Sequence, residues 1–183
     1  MKKDFVMPIL VLSLLCLLVS WALAAGNRLT QPVIEEAAEQ RAETARREVI
    51  PEADNFVLLD IDMLHNEYHL PRNVTGVYRA TNNTGFVFMV TTSGYGGEIK
   101  LICGISPDGK VIKTATLAQK ETKGLGTPIF EEPHAGQYRG KDKNGIEDIA
   151  AISGATISSK ALKKGIRDSF EAFEIITTNE GAR

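Results

Sequence analysis

Residues 74–118 read VTGVYRATNNTGFVFMVTTSGYGGEIKLICGISPDGKVIKTATLA, and this run decides the fold. Four segments, 74–80, 85–92, 99–105 and 111–118, are rich in β-branched and aromatic residues, the composition of strands. Between them lie Asn82-Asn83, Gly94-Tyr95-Gly96-Gly97 and Pro107-Asp108-Gly109, which are turn formers. Connections this short pair neighbours antiparallel, so the core is predicted to be a meander. A sheet of this kind buries one face.

The cover for that face comes later in the chain. Leu162, Ile166, Phe170 and Phe173 recur at helical spacing, while Lys160, Lys163, Lys164 and Arg167 fall on the other side, which is the pattern of an amphipathic helix. A helix laid on an antiparallel sheet gives an α+β fold. Cys103 falls inside the third strand and reads as a small core residue; Cys16 belongs to a separate apolar run, so no internal disulfide is expected.

Before the sheet the composition changes. Residues 5–25 hold no charge and are dominated by Leu, Val and Ala, which meets the roughly 20 residues needed to cross a bilayer. Ala22-Leu23-Ala24 resembles a signal-peptidase site, but the run exceeds the usual ~7–15 residues of a cleaved signal, which favours a retained anchor. Lys2 and Lys3 precede the span, so the N-terminus is read as cytoplasmic and the main domain as extracytoplasmic, on a single-pass protein of the cytoplasmic (inner) membrane. Val33, Ile34, Ala37, Ala38, Ala42, Ala45 and Val49 then suggest a juxtamembrane helix stopped by Pro51. The expected division is an anchor over 1–28, a helical connector over 29–52 and a main domain over 53–183. The formal net charge is −2, which gives no footprint for nucleic acid.

His65 and His69 sit four apart in a segment read as irregular, close before Pro71 and without a third ligand; no metal site is expected. The stretch Ser153-Gly154-Ala155-Thr156, followed by Ile157-Ser158-Ser159, is more informative because it opens the last helix. Unpaired N–H groups and the helix dipole favour a phosphate there. Helix capping explains the same Ser and Thr residues. Two further glycine loops, Ser93-Gly94-Tyr95-Gly96-Gly97 and Glu121-Thr122-Lys123-Gly124-Leu125-Gly126, suggest a pocket with exposed backbone N–H groups suited to a phosphorylated planar ligand.

The three motifs, in this order and spacing, resemble the FMN-binding domain of respiratory membrane complexes, in particular the G subunit of the Rnf ion-pumping ferredoxin:NAD oxidoreductase, with the C subunit of the sodium-pumping NADH:quinone reductase as a relative. The resemblance includes Leu29-Thr30-Gln31-Pro32-Val33-Ile34 after the span. It implies FMN joined through a phosphoester to Thr156 by a flavin transferase that uses FAD. It also implies Glu121, Thr122, Gly124, Leu125 and Gly126 along the ring and ribityl chain. Ser153, Gly154, Ala155, Ser158 and Ser159 would surround the phosphate, Lys160 would balance its charge, and Gly94, Gly96 and Gly97 would border the site. Ala150 stands where the family usually has Asp, and Lys123 where it usually has Pro.

On this resemblance the chain is an electron-relay subunit with other complex subunits as partners, and it performs no complete reaction alone. No side chain is expected to act as a catalytic acid or base, because the flavin does the redox work. Alternatives are an FMN-domain protein outside such a complex, the C subunit of the sodium-pumping reductase, and a scaffold that binds a phosphate without flavin.

Overall fold

The computed structural model describes residues 2–180, and the side chains of 6–179. It divides after Arg41 into two compact units. The first is the long part of α1 (Lys2–Val49). Leu10, Leu12, Leu14, Leu17 and Trp21 all point outward. A helix apolar on every side is suited to lipid rather than to a core, and α1 is the one helix among the described residues long and apolar enough to cross a membrane. The connector expected over 29–52 is not a separate element, because α1 runs unbroken to Val49.

The second unit holds a five-stranded sheet in the order β1-β2-β3-β4-β5, every neighbour antiparallel. β2 (Val74–Ala80), β3 (Phe86–Ser93), β4 (Glu98–Ile105) and β5 (Val111–Ala118) are the four strands read from sequence. β1 (Phe56–Leu58) and α2 (Ile61–Glu67) occupy the stretch read as irregular. The Asp60 side chain caps α2 by accepting the Met63 N–H at 3.0 Å. His65 is structural here: its Nδ1 and Nε2 face the carbonyl oxygens of Leu70 and Val74 at 3.2 and 2.9 Å.

Alternation along the strands sends Phe86, Phe88 and Val90 of β3 and Ile99, Leu101, Cys103 and Ile105 of β4 to one side. There they meet Leu162, Ile166, Phe170 and Phe173 of α4 (Thr156–Glu180), all buried as the helical period requires. Burial pushes the Cys103 thiol up to about 12, against a weaker lowering by its hydrogen bond with Ser169.

The opposite face of the sheet is covered as well, contrary to the expectation of one buried face. Ala45, Val49 and Ile50 pack on Val87 and Ile102. The reason is the close approach of the end of α1 to β4: a Cβ at Gly104 would lie 2.3 Å from Val49 Cγ1, so only glycine fits there. Between β5 and α4 the chain makes three short helical turns, Thr127–Phe130, α3 (Glu132–Ala135) and Gly136–Tyr138.

Candidate functional site

The start of α4 is set by a tight turn. The Ala155 N–H donates to Ile152 O at 3.0 Å, and Gly154 takes φ +83°, a conformation that side chains resist. The first helical bond past this turn runs from Ser159 N–H to Ala155 O at 2.8 Å, which leaves the N–H groups of Thr156 and Ile157 without intrahelical partners.

The hydroxyls of this segment have separate fates. Ser159 is buried and its Oγ accepts the Ile152 N–H at 3.1 Å, so it caps the turn. Ser158 is buried and its O–H donates to Glu121 Oε2 at 2.5 Å. Thr156 is exposed and its hydroxyl has no partner among the described residues.

Opposite α4 lies the loop from Glu121 to Gly126. Thr122 O accepts the N–H groups of Leu125 and Gly126 at 3.1 and 2.9 Å, and Thr127 Oγ1 accepts the Gly124 N–H at 3.0 Å. This compact turn pushes Leu125 outward until it lies over Gly154, where a Cβ would stand 3.4 Å from Leu125 Cδ1. The third loop is the β3–β4 hairpin, closed by a bond from Gly94 N–H to Gly97 O at 2.8 Å. Its Gly96 N–H donates to Glu121 Oε1 at 3.0 Å.

These loops enclose a cleft of about 380 Å³, a size suited to a small ligand. Glu121, Thr122, Leu125 and Gly126 line one side, and Gly154, Ala155, Thr156 and Ser158 the other. Gly124, Ser153 and Ser159 sit in the same segments but outside the lining, and Gly94, Gly96 and Gly97 shape the hairpin behind Glu121.

Two lining residues, Tyr95 and Ile157, stood inside the motifs read from sequence without being singled out as site residues. Of the five large apolar side chains exposed after residue 41 among the described residues, three are Tyr95, Leu125 and Ile157, so bare apolar surface concentrates at this cleft. The signal was present in Tyr95, an aromatic residue set among three glycines with nothing local to pack on.

Lys160 lies elsewhere, in a second groove of about 470 Å³ with Ala150, Lys163, Lys164 and Arg167. Charge there is largely satisfied internally. Arg167 donates to Glu147 Oε1 at 2.6 and 2.8 Å, and Lys164 to Asp168 at 2.5 Å; Asp168 also accepts from Asn73. The smaller cleft, with a free hydroxyl and bare apolar walls, is the better candidate for a ligand.

A family model described as FMN-binding domain matches residues 94–171. The G subunit of the Na(+)-translocating ferredoxin:NAD(+) oxidoreductase complex of Acetobacterium woodii is 30% identical over 185 residues, covering 90% of this chain and 89% of that protein. The chain belongs to the family of G subunits of ion-translocating oxidoreductase complexes. Other relatives of the same kind agree in extent. The G subunit of the proton-translocating ferredoxin:NAD(+) oxidoreductase complex of Clostridium ljungdahlii is 29% identical over 94% of this chain and 91% of its own length. The G subunit of an ion-translocating oxidoreductase complex from Stutzerimonas stutzeri is 31% identical over 88% and 78%. Within this member of the family, the match to the FMN-binding domain opens at Gly94 and closes inside α4, so it takes in all three loops of the cleft and leaves out everything up to the end of β3.

Proposed function

We propose that the chain is the electron-transferring flavoprotein subunit of a redox-driven ion pump, with FMN esterified to Thr156 and the flavin domain outside the cytoplasm. The observation that carries this reading is the exposed, unpartnered Thr156 hydroxyl at the mouth of the cleft, beside buried Ser158 and Ser159 whose hydroxyls are already committed. The cleft chemistry fits a phosphorylated planar group. Tyr95, Leu125 and Ile157 offer apolar contact to a ring system, the Thr122 hydroxyl is free to bond polar atoms, and the first-turn N–H groups of α4 suit a phosphate. Lys160 follows Thr156 by one helical turn but lines the second groove, so it adds positive charge near the phosphate without lining the cleft.

When bound, FMN supplies the electron chemistry. This chain's own residues anchor it, shield one side and hold the phosphate. Thr156 Oγ1 would replace the AMP portion of FAD on the flavin phosphate, with its proton released to solvent, in a reaction run by a flavin transferase. A tether suits a domain outside the cytoplasm, where a lost cofactor is not readily replaced. The other subunits of the complex would deliver and remove the electrons.

The test is ultraviolet fluorescence of the denatured band, with intact mass, after production beside a flavin transferase. A fluorescent band heavier by one FMN less one water is expected for the wild type. It should vanish in Thr156→Ala and persist in Thr122→Ala. Fluorescence retained in Thr156→Ala would refute the assignment.

A further inference from the structure

Glu121 carries a carboxylate yet is only 8% exposed, and no cationic side chain pairs with it among the described residues. A buried carboxylate without a counter-ion is costly, so its surroundings call for an explanation. Its Oε1 accepts the Gly96 N–H at 3.0 Å and its Oε2 accepts the Ser158 O–H at 2.5 Å. Its own N–H donates to Gln119 Oε1 at 2.6 Å. The space around the carboxylate is kept clear by glycine: a Cβ at Gly94 would fall 2.1 Å from Oε1, and one at Gly126 2.7 Å from Oε2. One side chain therefore joins the β3–β4 hairpin, its own loop and the first turn of α4, which come from distant parts of the chain.

We infer that Glu121 is a positioning residue that locks these three loops into one wall and keeps a fixed negative charge beside the cleft; the electrostatic half of this rests on the FMN reading above. Through Ser158 it orients the helix turn two residues beyond Thr156. Through Gly96 it holds the hairpin that carries Tyr95. Hydrogen bonds to an ionised acceptor are stronger than neutral ones, which suits a tie between segments of separate origin. A negative charge facing a flavin opposes the gain of electrons, so removing that charge should make reduction easier.

The experiment uses the full chain in detergent, made with and without a flavin transferase, as wild type, Glu121→Gln and Glu121→Ala. Glutamine keeps both ties, with its carbonyl accepting from Gly96 and its amide donating to Ser158, while losing the charge. Glu121→Gln should melt within about 2 °C of the wild type and carry flavin. Its midpoint potential should shift upward, so that reduced flavin is enriched about fivefold at the wild-type midpoint. Glu121→Ala should melt about 4 °C or more below the wild type even without flavin.

An unchanged potential in Glu121→Gln overturns the electrostatic role. A Glu121→Ala chain that melts like the wild type overturns the clamp, and so does Glu121→Gln that fails to fold. A wild type without flavin mass refutes the FMN reading and the electrostatic half with it, while the flavin-free melting curves still decide the clamp.

Discussion

Thr156 and Ser158 stand two residues apart at the start of one helix, and the structure gives their hydroxyls opposite surroundings, exposed and unpartnered against buried and bonded, whose consequences a crossed pair of substitutions can separate. In Ser158→Ala the lost bond runs between a hydroxyl on a side chain 2% exposed and a buried carboxylate, at 2.5 Å. A hydrogen bond to a charged group contributes about 1.5–3 kcal/mol. The better helix propensity of alanine returns up to ~0.5 kcal/mol. The net loss is about 1–2.5 kcal/mol, or a fall of roughly 3–10 °C for a domain of this size. In Thr156→Ala the hydroxyl removed is exposed and unpartnered, so stability should stay within about 0.5 kcal/mol.

Flavin attachment should show the reverse order: abolished in Thr156→Ala and kept in Ser158→Ala. Melting can be followed by near-ultraviolet circular dichroism of the tyrosines, all of which lie beyond residue 41, and attachment by intact mass on the same samples. If Ser158→Ala loses the flavin mass while melting normally, the division of labour drawn from the hydrogen bonds is wrong.

Three further outcomes test other parts of the structure. Leu125→Ala, Ile157→Ala and Tyr95→Ala each remove an exposed apolar wall of the cleft; the covalent mass should remain while native flavin emission shifts toward that of free flavin in water. Gly104→Ala should cost about 1–3 kcal/mol by overpacking, because its Cβ would meet Val49 Cγ1 at 2.3 Å, and Val49→Ala in the same chain should recover much of the loss in chemical denaturation. Alkali should destabilise the fold, since burial raises Cys103 from 9.0 to about 12, and burial with the nearby Glu147 raises Tyr138 from 10.0 to about 12. Above pH 9 the unfolded chain releases protons that the folded chain retains, so stability falls by up to ~1.4 kcal/mol per pH unit for each group. Cys103→Ala should flatten the slope between pH 9 and 10.

The strands β2 to β5 and the buried face of α4 were legible because each is written in local periodicity: alternation along the chain for a strand, a 3.6-residue repeat for a helix. The membrane-spanning run was legible from composition alone. β1 and α2 were not, since three half-exposed strand residues and a seven-residue helix carry too little pattern to separate from a loop. Their identity comes from pairing with β2 and from the Asp60 cap.

At the cleft, sequence by itself determined that small residues and hydroxyls open the last helix and that two glycine loops precede it, a pattern that helix capping and turns explain as well as a ligand does. The resemblance singled out Thr156 for attachment and set Ser158, Ser159 and Lys160 around the phosphate, while capping explained the serines equally well. Tertiary structure gave these side chains different surroundings. Ser158 is taken by Glu121, 37 residues away in the chain, Ser159 by Ile152, and Lys160 lines a separate groove. Which hydroxyl stays free depends on what folds against it, and so does whether the second face of the sheet is covered by the end of α1. Those contacts join segments that share no local pattern, so only the folded chain contains them.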